Sequence, residues 1–377
     1  MLPSLQEFKD SALLGKIAEH RYGNMVGYKY TTNTVYSEEW DNVSLHARGI
    51  VFDENTGKVL ARPFDKFFNL GEMLNSETGE LSAIGEDVEE HLGFKNLSGD
   101  YKHQKFRVMD KLDGSLGILF WTGAYWYVKT AGSFESDQAK WANEWFAKNV
   151  NQTLLDQSKT YLFEIIYDED KHPIEYDFQG MVLLGIIDTD TGVEEPLSEI
   201  LRVSDELRIR HAEVIELNDF DEVVEYAKKL PKTKEGVVIT FENGFKLKVK
   251  GDEFLQLQRI FHYLTENVIW ENFLYETVSA STDLKDAYTE GFVENIPEEL
   301  VDMKAYARKL HVDFVSDLAK VVLAGEVVRK IPDRKTAYEQ VSTDPTMKKL
   351  IAAIMQYYTA GKITDKIRFT VYKQLKP

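Results

Sequence analysis

Charged side chains inside strand-like, apolar segments are the feature of this sequence that suggests chemistry. The charged positions in question are Lys111, Lys129, Glu164, Glu235, Lys246 and Lys248. A charge in an apolar strand must be paired or bound to a ligand, because burial alone is costly. Lysines and glutamates from several strands therefore predict a polar pocket. Both signs of charge in one pocket suit an anionic ligand that carries a divalent metal, and this points to a nucleoside triphosphate.

Lys111 is the candidate nucleophile, at the start of the hexapeptide Lys-Leu-Asp-Gly-Ser-Leu. A lysine amine attacks phosphorus only in its neutral form, which partial burial and neighbouring cations such as Lys246 and Lys248 would favour. Gly114 would let the backbone approach a ligand closely, and Asp113 could hold a metal-bound water. An Asp-Gly pair is also common in surface β-turns, so the motif alone leaves that alternative open.

Two carboxylates are candidates for contact with a metal or a ribose hydroxyl. Glu164 lies in the run Tyr-Leu-Phe-Glu-Ile-Ile-Tyr at 161–167, which is otherwise apolar enough for a buried strand. A salt bridge to a strand lysine would satisfy Glu164 equally well. Glu235 precedes the β-branched segment Gly-Val-Val-Ile-Thr, so its carboxylate should lie at a strand end. The alternative for Glu235 is an exposed loop acid beside Lys232 and Lys234.

Lys246 and Lys248 are two residues apart and should share one face of a strand. Two parallel ammonium groups would clamp phosphates and the charge that develops in phosphoryl transfer. An exposed face of an edge strand is the alternative for this pattern. Upstream, Arg48 precedes Gly-Ile-Val-Phe, and Lys66 stands close to three phenylalanines, a mixture that suits either phosphate contact beside a stacked base or an aromatic core. We expect His172 to be a surface residue.

The pattern of apolar residues predicts mixed strands and helices up to about residue 251, and helices alone afterwards. A hairpin is expected at residues 49–62, around an Asn and Gly turn. Further strands are expected at 106–111, 116–121, 126–130, 161–167, 181–188, 236–241 and 245–250. A helix is expected at 136–150 and another start at Asp344-Pro345, whereas residues 76–103 resemble a loop. The predicted domains are 1–251 and 252–377.

Composition and charge narrow the class of protein. The 377 residues include 43% hydrophobic and 12% aromatic residues, a globular composition long enough for two domains. The absence of cysteine excludes disulfides, thiolate catalysis and cysteine zinc sites. No secretory signal or membrane span is recognisable, so we expect an intracellular protein.

The distribution of charge is uneven. A net charge of −18 argues against a nucleic-acid coat protein, yet residues 327–377 carry 11 Lys and Arg against 4 Asp and Glu. That basic end could contact phosphate or form a solvated helical surface.

The order of these motifs resembles the covalent nucleotidyltransferase superfamily of polynucleotide ligases and capping enzymes. The elements are Arg48-Gly49, Lys66-Phe67-Phe68-Asn69-Leu70, Lys111-x-Asp113-Gly114-Ser115, Lys129, Phe163-Glu164, Glu235-Gly236-Val237-Val238 and Lys246-Leu247-Lys248. Within it, the chain is similar to the ATP-dependent RNA ligase 1 family of T-even bacteriophages, over its full length. The resemblance implies an α+β fold: an ATP-grasp-like nucleotidyltransferase domain of antiparallel sheets flanked by helices, followed by an all-α domain.

The resemblance also implies roles for single residues. Lys111 would take AMP from ATP, forming a covalent lysyl-AMP, before transfer of AMP to an RNA 5′-phosphate and attack by an RNA 3′-hydroxyl. Asp113, Glu164 and Glu235 would organise Mg²⁺ or Mn²⁺ through water, or the ribose. Lys246 and Lys248 would bind phosphates, and Gly114 would let the backbone approach the nucleotide closely. Contact with the nucleotide or with RNA phosphate is implied for Arg48, Lys66 and Lys129. Phe68 and Val238 would form part of the nucleotide pocket.

The implied biology is RNA repair by a monomer in the cytoplasm of a bacterial host, with cleaved tRNA recognised by the helical domain. The chain departs from the family at Ala131, where many members have a second lysine, and at Leu112, which replaces a polar or β-branched residue. A DNA ligase or a GTP-using capping enzyme is disfavoured, because strand signals nearly vanish after residue 251. A catalytically idle protein that binds RNA ends or nucleotides is the alternative from another class.

Overall fold

The computed structural model describes residues 2–73, 101–263, 265–273 and 301–377. Strands lie at β1 Ile17–Tyr22, β2 Met25–Tyr30, β3 Arg48–Asp53, β4 Val59–Ala61, β5 Phe68–Asn69, β6 Phe106–Lys111, β7 Ser115–Trp121, β8 Trp126–Thr130, β9 Lys159–Ile166, β10 Gly180–Asp188, β11 Val214–Ile215, β12 Gly236–Phe241 and β13 Lys246–Lys250.

The described helices fall between and after these strands. The α-helices are α1 Leu5–Leu13, α2 Thr32–Ser37, α3 Asn42–His46, α4 Leu70–Met73, α5 Asp137–Asn149, α6 Leu197–Leu207, α7 Phe220–Lys228, α8 Asp252–Tyr263, α9 Glu266–Phe273, α10 Val301–Val328, α11 Arg334–Ser342, α12 Ile351–Ala360 and α13 Asp365–Lys373. Short 3₁₀ helices cover Tyr101–His103, Gln152–Leu154 and Pro345–Leu350.

The chain divides into two compact units, Met1–Gln256 and Leu257–Pro377. The first combines β-sheets with helices, and the described part of the second is helical. The predicted α+β class with a helical C-terminal part is therefore confirmed. The division falls inside α8, a few residues after the boundary predicted near Gly251. In the described part of the chain, no helix is long and apolar enough to cross a membrane.

The described strands of the first unit form three sheets. The first sheet has the order β1-β2-β3-β4, the second β10-β9-β7-β8 and the third β11-β6-β12-β13-β5. Neighbouring strands are antiparallel except β13 and β5, which are parallel. The predicted hairpin corresponds to β3 and β4 and is confirmed. The sequence pattern did not identify the strands β1 and β2, where charged and aromatic residues obscure the alternation.

Local chemistry explains where several predicted elements begin. The Ser136 hydroxyl accepts a hydrogen bond from the backbone of Ala139 and caps α5. Asp344 caps the next predicted helix start, but the chain first forms a 3₁₀ turn over Pro345–Leu350 before α12 follows. Residues 76–100 of the predicted loop at 76–103 lie outside the described residues, whereas Tyr101–His103 form a 3₁₀ turn.

One turn connects the second and third sheets at the predicted reactive segment. Lys111 ends β6 in the third sheet, and Ser115 begins β7 in the second. Register then brings residues distant in sequence together: Gly236 pairs with Lys111, and Glu164 pairs with Leu116. The turn therefore places the end of β6 beside the middle of β9.

A close helix contact in the second unit provides a test of its packing. A Cβ atom added at Gly325 of α10 would lie 2.3 Å from Cδ1 of Tyr357 in α12. Gly325→Ala should therefore lower the free energy of unfolding of this unit by about 1–3 kcal/mol, because the tyrosine must move. Hydrogen exchange in α10 and α12 measures the loss. The exposed Ser316→Ala on the same helix is the control, and unchanged protection in Gly325→Ala would contradict this packing.

Candidate active site

Lys111 lies beside a buried carboxylate. Its Nζ is 2.6 Å from Oε2 of Glu235, whose side chain is only 4% exposed. The other oxygen of Glu235 lies 3.0 Å from Nζ of Lys250. Because Glu235 immediately precedes β12, the pairing of Gly236 with Lys111 brings the carboxylate to the amine. The alternative of an exposed loop acid at Glu235 is therefore excluded.

A cavity of about 220 Å³ adjoins Lys111. Its charged lining consists of Arg48, Asp110, Lys111, Glu164, Glu194, Lys246 and Lys248. Apolar side chains, including Val238 and Met109, form other parts of the wall, and Gly114 contributes backbone. A wider cleft of about 1090 Å³ shares Phe64, Phe67 and Lys246 with this cavity. The arrangement offers a charged end and an apolar wall to one ligand.

Arg48 and Lys248 contribute positive charge to the cavity. Among the described residues, Lys248 forms no ion pair and Nη1 of Arg48 is buried with no hydrogen-bond partner. Both cations lie over the Phe67 ring, at 4.6 Å for Arg48 and 5.0 Å for Lys248. Burial, followed by repulsion from Lys66, Arg48 and Lys111, holds the pKa of Lys248 well below its usual range. An anion in the cavity would relieve this repulsion.

Lys246 is paired, in contrast to Lys248. Its Nζ lies 2.6 Å from Oε2 of Glu194 and 2.9 Å from the hydroxyl of Thr240. Oε1 of Glu194 accepts a hydrogen bond of 2.6 Å from Arg107. Burial lowers the pKa of Lys246, although Glu194 opposes the shift. Sequence analysis missed Glu194, because its loop between β10 and α6 carries no motif.

Glu164 is a partly buried carboxylate that lines the same cavity. Burial is the main cause that raises its pKa to about 7, with Lys111 acting in the opposite direction and Glu235 and Asp113 adding repulsion. Glu164 forms no ion pair with any described residue, so the predicted alternative of a salt bridge is not realised. A Cβ at Gly114 would lie 2.6 Å from the carbonyl oxygen of Ile165 and 3.0 Å from Cγ of Glu164. Gly114 therefore permits the turn to lie directly against Glu164.

The turn after Lys111 is held by the segment between β9 and β10. The Asp113 backbone N–H donates to the Tyr176 hydroxyl at 2.8 Å, and the Ser115 hydroxyl donates to Asp170 at 2.7 Å. His172 lies between the two carboxylates, with Nδ1 3.4 Å from Asp113 and Nε2 3.1 Å from Asp170. Although burial opposes it, the closeness of these two carboxylates raises the pKa of His172 to about 9. His172 was predicted to be a surface residue; its side chain is 24% exposed, so it is half-buried, and its contact with Asp113 joins residues that are distant in sequence.

Phe68, which was predicted to form part of the nucleotide pocket, and Lys66 do not line this cavity. Lys66 lines the adjoining cleft instead, and its contact with nucleotide or RNA phosphate stays a prediction. Phe68 packs in the apolar core under the third sheet, 5.6 Å from the ring of Trp40. Nζ of Lys66 lies 4.6 Å from the Phe68 ring, and burial lowers the pKa of this lysine. Phe67 faces the cavity instead, because successive side chains of an extended segment point to opposite sides.

Lys129 also lies away from the cavity lining. Its side chain is fully buried, and Nζ donates to the carbonyl oxygens of Gly49 at 3.3 Å and Ala131 at 3.2 Å. The Phe134 ring is 5.0 Å away. Burial lowers the pKa of Lys129 to about 7. Lys129 thus holds the backbone of Gly49, next to Arg48. It does not line the cavity, and its contact with nucleotide or RNA phosphate stays a prediction.

Comparison with known proteins places these residues in a family. A family model described as RNA ligase matches residues 46–254. The RNA ligase of Rhodothermus phage RM378 is 22% identical over 302 residues, which cover 67% of this chain and 68% of that protein. A protein of Autographa californica nuclear polyhedrosis virus, provisionally named a bifunctional polynucleotide kinase/RNA ligase, is 25% identical over 235 residues, which cover 58% of this chain and 31% of that protein.

The match to solved structures is more limited. A structure of the Naegleria gruberi RNA ligase with PPi has a TM-score of 0.36 and 20% identity, covering 42% of this chain and 52% of that one. Among the relatives named above, the match to the Autographa californica virus protein spans only about a third of that protein's length. The family model covers more than half of the chain and includes the turn, the cavity lysines, Glu164 and Glu235. The chain therefore belongs to the RNA ligase family of the T4 RNA ligase 1 type.

Proposed function

We propose that the chain is an ATP-dependent RNA ligase that joins a 5′-phosphate to a 3′-hydroxyl through lysyl-AMP and RNA-adenylate intermediates. One observation carries the proposal: the Lys111 amine lies 2.6 Å from a buried carboxylate, at a cavity whose wall holds three further cations. A nucleophile, a proton acceptor and anion-binding groups are the parts that nucleotidyl transfer to an amine requires.

In the first step, Lys111 Nζ attacks the α-phosphorus of ATP. A P–N bond forms, the bond from the α-phosphorus to the bridging oxygen breaks, and pyrophosphate leaves. Glu235 accepts the amine proton in this step, since its Oε2 lies 2.6 Å from Nζ of Lys111. Arg48, Lys246 and Lys248 face the phosphates, and their charges stabilise the pyrophosphate that forms. Val238 offers an apolar surface for the base.

A divalent cation at this site would be held through water and the ligand's phosphates rather than by the carboxylates alone. In the described residues, no group of three His, Asp or Glu side chains could hold a metal directly. Asp113 and Glu235 nevertheless repel Glu164, which has no ion-pair partner of its own. A cation among Asp113, Glu164 and Glu235 would offset this repulsion. Mg²⁺ or Mn²⁺ bound there would neutralise charge on the phosphates.

In the later steps, AMP passes from Lys111 to an RNA 5′-phosphate, and an RNA 3′-hydroxyl then displaces AMP to form the phosphodiester. Cleaved tRNA is the substrate we propose for the helical unit, supported by the excess of 11 Lys and Arg over 4 Asp and Glu at residues 327–377. We further propose a monomer that acts in the cytoplasm of a bacterial host. A protein that only binds nucleotides would not need the contact between Lys111 and Glu235.

Labelled ATP tests the proposed first step. With ATP labelled at the α-phosphate and Mg²⁺, the denatured wild-type chain should carry label, and Lys111→Ala should carry none while keeping its fold. Lys105→Ala, which removes an exposed lysine of the adjoining cleft, is the matched control and should label normally. Normal labelling of Lys111→Ala would contradict the proposal.

The phosphate-binding lysines should affect the rate of this step. Lys248→Ala and Lys246→Ala each remove a cation that stabilises the leaving pyrophosphate, so the rate of lysine adenylation should fall about a hundredfold or more. Rapid-quench measurement at saturating ATP gives the rate. Rates equal to the wild type in both variants would show that neither lysine contacts the phosphates during transfer.

Glu164 should make stability depend on pH. Because burial raises its pKa to about 7, the folded protein favours the protonated carboxyl, and stability falls as pH rises through about 7. Glu164→Gln lacks this titration, so the variant should gain stability relative to the wild type between pH 5 and pH 8. Urea unfolding at several pH values, without metal or nucleotide, measures the difference. A difference independent of pH would show that Glu164 is not buried in the manner described, and the exposed Glu169→Gln is the control.

A further inference from the structure

Glu194 is a charged residue of the cavity to which the proposed reaction gives no role. Its carboxylate is 12% exposed and lies 2.6 Å from both Lys246 Nζ and Arg107 Nη2. The two cations belong to β13 and β6 of the third sheet, whereas Glu194 follows β10 of the second. The Glu194 side chain therefore reaches across the cavity from one sheet to the other.

The backbone around Glu194 and the space left by a glycine fix the position of this carboxylate. Glu194 forms a β-bridge with Ile187, and the neighbouring Glu195 N–H donates to the carbonyl of Ile186 at 2.8 Å. A Cβ at Gly185 would lie 3.0 Å from Oε1 of Glu194 and 2.5 Å from the Phe64 ring. Gly185 thus leaves the room that Glu194 occupies, and the carboxylate is held on Lys246 by the backbone of its own loop.

An anionic ligand and Glu194 compete for the same ammonium group. Lys246 is 9% exposed and already contacts Glu194, the Thr240 hydroxyl and the Phe64 ring at 4.6 Å. A phosphate that approaches Lys246 meets the negative charge of Glu194 at the distance of a hydrogen bond, and like charges in a poorly solvated site repel strongly. Lys248 has no such competitor among the described residues.

We propose that Glu194 is an internal counter-ion of Lys246 that competes with the phosphates of the ligand and so weakens the binding of pyrophosphate. The inference rests on the proposed function, in which Lys246 faces those phosphates. Glu194 keeps the charge of Lys246 compensated in the free protein, and its fixed carboxylate repels pyrophosphate bound beside that lysine. Retention of the product is thereby limited, while Lys248 and Arg48 keep their full attraction for the nucleotide.

Calorimetric titration with inorganic pyrophosphate tests this directly, using the full chain freed of nucleotide. Glu194→Gln keeps the size of the side chain and removes its charge, so it should bind pyrophosphate about tenfold more tightly than the wild type at one salt concentration. The control is Glu195→Gln, whose carboxylate pairs with Lys159 at 2.6 Å and lines neither the cavity nor the adjoining cleft. Glu195→Gln should bind as the wild type does.

Two further variants keep the test decisive. Replacing Lys246 as well, in Glu194→Gln/Lys246→Met, should abolish the gain, because the competition concerns that lysine. Glu194→Asp, which keeps the charge but shortens its reach, should show a smaller gain and serves if Glu194→Gln does not fold. Unchanged or weaker binding in the folded Glu194 variants, or an equal gain in Glu195→Gln, overturns the inference. The proposed function is tested separately, by labelling the wild-type chain with ATP. Absence of label on Lys111 would contradict the proposed function and does not depend on the pyrophosphate titration.

Discussion

Repulsion between partly buried cations is the constraint on which this site depends. Lys248 is repelled by Lys66, Arg48 and Lys111, and burial lowers the pKa of Lys248 more than any carboxylate raises it. Such an arrangement destabilises the folded protein unless a ligand supplies negative charge. Glu235 supplies part of it at Lys111, and Glu194 supplies part at Lys246. The remaining positive charge, at Arg48 and Lys248, is what a nucleotide phosphate would satisfy.

The fold holds these charges in place by joining two sheets at the cavity. The turn from Lys111 to Ser115 passes from the third sheet to the second, and Gly114 lets it lie against Glu164. His172 and Tyr176 hold the turn from one side, and Glu194 links the two sheets near Lys246. Carboxylates thus compensate Lys111 and Lys246, whereas Arg48 and Lys248 leave an excess of positive charge at the cavity.

Much of this could be predicted from the sequence, and the failures have physical causes. Apolar alternation located the strands around Lys111, Glu164, Lys246 and Lys248, because period and residue type are local properties. The roles of Glu194 and His172 depend on partners from other strands and loops, so no local pattern reveals them. Phe68, predicted to belong to the nucleotide pocket, lies in the core, because a short extended segment among aromatic residues does not show which side faces the core. The order of motifs identified the family, which the match over residues 46–254 confirms.

The most direct test of the account is to locate a covalent AMP group on the chain. The wild-type protein would be incubated with ATP and Mg²⁺, digested, and its peptides examined by mass spectrometry. The account predicts the added mass of one AMP on the peptide that contains Lys111, joined to its side-chain nitrogen and removed when pyrophosphate is supplied. An AMP group on another lysine, or none on a folded protein that began free of AMP, would contradict the assignment of Lys111 as the nucleophile.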